Sequence, residues 1–170
     1  MIDIVKITLP ALLVLITAFF VLDRQQKAEI QRRQLDTKEK NSSTILPIRL
    51  RAYERLMLVL ERTIPNYLII NTIKSEMSSI ELQTQLIAAI RQEFSHNVSQ
   101  QIYVSNDLWS AFRMAQESLI QLVNSCAARL QPDGDATQLA EYIIQVYNST
   151  DELPSENAIS LLKAEVRILM

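Results

Sequence analysis

Apolar and polar positions alternate along this chain with three different rhythms. Ile7 to Leu22, ITLPALLVLITAFFVL, is a run of sixteen residues without a charge. With Lys6 snorkelling and the MIDIV lead-in, the run reaches about 20 residues, the length a helix needs to cross about 30 Å of hydrocarbon. Residues 23 to 39 reverse the balance. They are built from Gln, Arg, Lys, Glu and Ala with Ile30 and Leu35 as apolar points, too few for a core-facing stripe. After the turn-prone NSST at 41–44, apolar residues recur at spacings of three and four. The pattern predicts a membrane anchor over 1–22, a polar helical stalk and linker over 23–43, and a soluble helical domain over 44–170.

Within that domain the segment ILPIRLRAYERLMLVLERTIPN predicts a helix whose buried stripe is Leu46, Leu50, Tyr53, Met57, Leu60 and Ile64, widened by Leu56 and Val59. Pro65 ends it, because the residue before a proline is pushed out of helical geometry. A shorter helix follows over NYLIINTIK. Ser78 and Glu81 stand at capping-box spacing and open a helix burying Leu82, Leu86, Ile87, Ile90, Phe94 and Val98. Residues 99–104 read as an extended link, because the sequence there turns β-branched and polar. Ser105 then caps a long helix, about 106–130, with Leu108, Phe112, Ala115, Leu119, Leu122 and Cys126 on one side. The loop QPDGD leads through Asp135 into a helix bearing Leu139, Tyr142, Ile143 and Val146. A last helix, about 154–169, buries Ile159, Leu162, Val166 and Leu169 if it docks.

Composition agrees with helices. One Gly and five Pro in 170 residues leave few of the glycine-marked turns that sheets use. The expected fold is all-α: a single transmembrane helix, a polar stalk and a bundle of about five to six helices. Removing span and stalk leaves about 125 residues, enough for one domain with a real core.

Charge sets the expected topology. Asp3 beside Lys6, and Ile16 two residues before Ala18, do not make a signal-peptide start or cleavage site, so the span reads as a retained anchor. Pro10 is tolerated in a membrane helix. Arg24, Lys27, Arg32, Arg33, Lys38 and Lys40 follow the span closely, which predicts a single-pass inner-membrane protein with its domain in the cytoplasm. The single cysteine, Cys126, excludes an internal disulfide framework and fits a reducing compartment. On a helical stripe, and with no basic neighbour expected beside it to lower its pKa, it reads as a small buried hydrophobe. The net charge of −2 hides an asymmetry: residues 23–63 carry 10 basic and 6 acidic groups, residues 64–170 carry 6 and 12. Anionic lipid would attract the first part, and an acidic distal domain argues against nucleic acid as a partner.

Candidate chemistry concentrates in EFSHNVSQQIYVS, residues 93–105. His96, Asn97, Gln100, Gln101, Tyr103 and the nearby Trp109 form the candidate partner or structural site, since polar side chains crowd where a regular helix stops. Glu93 and His96 have the E-x-x-H spacing of half a di-iron site, a weak metal alternative because His96 is the only histidine. Arg49, Arg51 and Arg55 offer a candidate lipid or partner surface; the plainer reading is a solvated face of pairs with Glu54 and Glu61. No P-loop, glycine-rich fingerprint or G-x-S-x-G is present, so no cofactor and no catalytic residue is expected.

The order of anchor and stalk, then LPIRLRAYERLMLVLERTIPNYLI, then EFSHNVSQQIYVS with Trp109 close behind, resembles an uncharacterised family of short, N-terminally membrane-anchored helical bacterial proteins, a domain of unknown function. The resemblance spans nearly the whole chain. It implies an anchored helical protein and carries over no functional residue. The expected function is a membrane-anchored interaction or scaffold protein that docks a cytoplasmic or envelope partner, or a second copy through Leu22 and the stalk residues Ile30 and Leu35; the alternative is a metal-dependent or hydrolytic enzyme using Glu93 and His96.

Overall fold

In the computed structural model, the described residues are 24–26, 29, 44–150 and 153–169. The chain divides into two units, 1–45 and 46–170. In the first, residues 24–26 and 29 are helical and exposed. The span expected over 1–22 and most of the stalk expected over 23–43 lie outside the described residues. Among the described residues no helix is long and apolar enough to cross a membrane.

The second unit is a helical bundle, and among the described residues every regular element is helical. Its helices are α1 (44–62, of which 46–62 belong to this unit), α2 (Pro65–Thr72), α3 (Ser79–Ser95), α4 (Asn106–Ala127), α5 (Ala136–Asn148) and α6 (Pro154–Leu169). A 3₁₀ helix, Val98–Ile102, joins α3 to α4. The helix starts have local causes. Ser78 and Glu81 form a reciprocal capping box at α3, Ser105 Oγ accepts from the Leu108 N–H at α4, and Asp135 accepts from the Thr137 N–H at α5. Ile64, ahead of Pro65, takes the non-helical ψ of 130° that separates α1 from α2.

At 22 residues α4 is about 33 Å long and lies at the centre, packed on α3, α5 and α6. It buries Leu108, Phe112, Ala115, Leu119, Val123 and Cys126. Pairings along its length fix direction. Phe94 meets Phe112 while Gln83 bonds Asn124 at 2.9 Å, so α3 runs antiparallel to it. Ser105 bonds Glu165 while residues 114–121 face 153–160, so α6 is antiparallel too. Arg49 reaches Tyr103 and Thr63 lies with Leu119, so α1 runs parallel. At the far end the turn before α3 is stitched to the loop before α5. Ser79 N–H donates to Gly134 at 2.8 Å, Ile80 N–H to Pro132 at 3.1 Å, and Ala136 N–H to Met77 at 3.1 Å. A Cβ on Gly134 would stand 3.0 Å from the Gln131 carbonyl oxygen, which is why the chain's one glycine sits there.

Three expectations are corrected. The buried line of α1 is Ala52, Tyr53, Leu56, Val59, Leu60 and Thr63, rotated from the expected one; Leu46, Leu50, Met57 and Ile64 are half-buried. Tyr53 bonds Glu165 of α6 and Thr63 lies with Leu119 of α4, tertiary contacts that the spacing alone does not set. Residues 99–104 are not an extended link. Asn97 N–H bonds Phe94, Gln100 N–H bonds Asn97 and Tyr103 N–H bonds Gln100, successive three-residue steps that wind the chain from α3 into α4. Because that winding begins at residue 98, Val98 leaves the α3 stripe and is 53 % exposed.

Candidate functional site

The polar segment 93–105 has two sides, and the fold uses them differently. On one side the chain is locked. Arg49, on α1, donates from Nε to the Tyr103 carbonyl at 3.0 Å and from Nη2 to the Tyr53 hydroxyl at 2.7 Å, with its guanidinium carbon 5.8 Å from the Tyr53 ring centre. Tyr53 in turn donates to Glu165 Oε2 at 2.8 Å. Glu165, on α6, also accepts from the Ser105 hydroxyl and from the Ser105 N–H. The Ser105 oxygen is at the same time the acceptor that caps α4. Charge, hydroxyls and helix end therefore satisfy one another, and Glu165 brings negative charge to the positive end of α4. Among the described residues no buried side-chain nitrogen or oxygen lacks a partner. The Tyr53 hydroxyl is held above its ordinary pKa, first by burial and then by its bond to the Glu165 carboxylate, against a smaller opposite pull from Arg49.

On the other side the same segment is open. Phe94, Val98, Gln101, Trp109, Phe112 and Arg113 line a groove of about 420 Å³, completed by Ser95 and Gln116. Its floor is aromatic. Phe94 and Phe112 are buried with ring centres 4.5 Å apart, and half-buried Trp109 stacks on Phe112 at 5.3 Å. Val98 and Gln101 rise from the 3₁₀ helix as its exposed edge, opposite Arg113 and Gln116 of α4. A larger groove of about 690 Å³ lies between α4 and α6, with Glu117 and Glu156 in its polar lining. Among the described residues its lining has no aromatic side chain.

Of the residues that the sequence singles out, Gln101 and Trp109 come together in the aromatic groove, while His96, Asn97, Gln100 and Tyr103 do not line it. Asn97 caps α3 by donating from Nδ2 to the Glu93 carbonyl at 3.0 Å. Tyr103 gives its carbonyl to Arg49. The Gln100 side chain bonds only its neighbour Ser99 among the described residues, and His96 is exposed. Arg49 is turned inward and is not part of an outer basic face; Arg51 and Arg55 are exposed. Glu93 faces a separate groove of about 320 Å³ between α2 and α3, with Arg62, Tyr67 and Asn71 but without His96. Among the described residues no three His, Cys, Asp or Glu side chains gather as a metal site. Cys126 is buried and its thiol pKa is pushed up mainly by that burial; Arg129, three residues on, is the basic neighbour that the sequence reading overlooked, and it pulls down by less.

Sequence reasoning missed Glu165 and Arg113. Glu165 had a signal: it falls three residues after Leu162 and four before Leu169, so a carboxylate stands on the docked side of α6 and must find partners. Arg113 had none, since only the packing of α3 on α4 brings Val98 and Gln101 across from it.

The chain belongs to the family of unknown function DUF7935, whose family model matches residues 1–169, and the resemblance drawn from the two quoted stretches agrees with that. Neither a curated protein nor a solved structure matches it.

Proposed function

We propose that this member of a family of unknown function is a single-pass inner-membrane protein, anchored by residues 1–22 and carrying 44–170 on the cytoplasmic side, whose helical domain docks a protein partner in the groove between α3 and α4. One observation carries the docking reading. Among the described residues, half-buried Trp109, stacked over the buried Phe112 and Phe94 rings, is left partly uncovered between Gln101 and Arg113, an apolar anchor point with a hydrogen-bonding rim. The anchor and its orientation rest on the uncharged run Ile7 to Leu22 and the six basic residues that follow it.

The test places a photocrosslinking residue at Gln101 of the full chain in native membranes, with Glu141, on the exposed side of α5, as control. A discrete adduct from position 101 and none from 141 is expected; equal labelling, or none at 101, would remove the groove as the docking site. Protease added outside intact spheroplasts should leave the domain whole, and its digestion there would reverse the orientation.

A further inference from the structure

We infer that the groove between α3 and α4 takes an extended peptide segment of the partner that carries a side-chain carboxylate close to a large apolar residue; this rests on the docking reading above. The apolar requirement comes from the floor. Trp109 is half-buried and stacked on Phe112, so part of its face is turned to the groove, where an aliphatic or aromatic side chain would remove it from water. At about 420 Å³ the groove has room for more than one side chain.

The carboxylate requirement comes from charge. Among the described residues, Arg113 is the charged residue of the lining and no acidic side chain shares the groove with it. Its ion pair with Glu117, one turn along α4 at 3.8 Å, is weak because the two side chains are 64 % and 65 % exposed. The guanidinium therefore keeps donors free for a better acceptor, and its planar fork matches a carboxylate in two bonds. Among the described residues the Gln101 and Gln116 amides make no hydrogen bond of their own. Each offers both donor and acceptor, as a passing peptide backbone requires. The chain's own segment 23–43 suits the site poorly: it carries 6 basic and 4 acidic residues and would meet Arg113 with the same sign.

Trp109 is the only tryptophan in the chain, which makes the groove its own reporter. The full chain in nanodiscs of zwitterionic lipid is titrated with the blocked pentapeptide Ala-Glu-Ala-Leu-Phe, read by tryptophan emission. A saturable blue shift is expected. It should weaken by about tenfold or more when the peptide's Glu becomes Gln, or when Arg113→Gln is made in the protein, as fits loss of a charged hydrogen bond. It should vanish for Ala-Glu-Ala-Ala-Ala. Arg113 is exposed, so circular dichroism of Arg113→Gln should match the parent. Equal affinity for the Glu and Gln peptides, indifference to Arg113→Gln, or no saturation with any peptide would overturn the inference, as would saturation by phosphatidylglycerol vesicles and not by peptide. In each of these cases a persistent adduct from position 101 would show that docking stands and only the chemistry of the occupant is wrong, whereas loss of both would remove the docking reading as well.

Discussion

The two sides of the segment 98–105 are made of similar residues and behave as opposites. Towards α1 and α6, an arginine, a tyrosine, a serine and a glutamate close on one another until, among the described residues, no buried polar side-chain atom is left over. Towards α3 and the start of α4, an arginine, two glutamines and a tryptophan remain open around a groove. Both sides have hydrogen-bonding groups beside aromatic rings. What separates them is the source of the partners. On the closed side they come from the chain itself, so mutation there should be felt as lost stability. On the open side the groups face water, so mutation should be felt only when something binds.

The largest expected effect breaks the closed side. Tyr53 is 2 % exposed, so Tyr53→Ala removes both a core ring and the link between Arg49 and Glu165. It should cost about 3 to 5 kcal/mol, in the range of other large-to-small core changes. Chemical denaturation checks it, and a loss under 1 kcal/mol would mean that the network is not part of the core.

Tyr53→Phe keeps the ring and removes the hydroxyl. Arg49 and Glu165 each lose a partner, for a cost of about 1 to 3 kcal/mol at neutral pH. The pH dependence has a definite sign. The folded-state pKa of Tyr53 is raised, chiefly by burial, whereas the unfolded chain deprotonates near the ordinary value of about 10. The stability due to the hydroxyl is therefore whole below pH 10 and is lost as pH rises through the higher folded-state value. The gap between parent and Tyr53→Phe should be flat from pH 7 to 9 and close above 10; a gap that widens there would reverse the assigned environment.

On the open side, Gln101→Ala and Arg113→Gln should each change stability by less than about 0.5 kcal/mol, as exposed substitutions do. A cost above 1 kcal/mol for either would show that the groove residues hold the fold together, and the contrast between the two sides would fail.

How much of this was legible follows from how local each cause is. The caps Ser78, Ser105 and Asp135 and the break at Pro65 depend on residues within four positions, and the structure has them where the sequence placed them. The stripe of α1 was misplaced by a partial turn because Tyr53, Leu56 and Leu60 fit two neighbouring rows, and only the packed helices choose between them. The 3₁₀ helix was missed because Val98 and Ile102 carry a β-branched signal, while the turn is held by backbone bonds that favour no side chain. Gln101 and Trp109 were in the candidate set, but the groove that unites them is tertiary: its other wall, Arg113 and Gln116, is contributed by successive turns of α4.

The smallest expected effect concerns the residue that belongs to neither side. His96 stands at the C-terminal cap of α3, where an imidazole bonded to a free carbonyl would cost about 1 to 3 kcal/mol to remove if it were buried. The geometry assigns that task to its neighbour. The Asn97 amide reaches the Glu93 carbonyl at 3.0 Å, and the His96 backbone N–H, which any residue supplies, bonds the Gln92 carbonyl at 3.1 Å. The imidazole itself is exposed and lines none of the grooves described above. His96→Ala should therefore leave stability within about 0.5 kcal/mol of the parent, while Asn97→Ala loses about 0.5 to 1.5 kcal/mol with its capping bond. Denaturant melts of the two variants side by side decide it. A larger loss at 96 than at 97 would return the capping role to the histidine and move the locked region one residue closer to the groove.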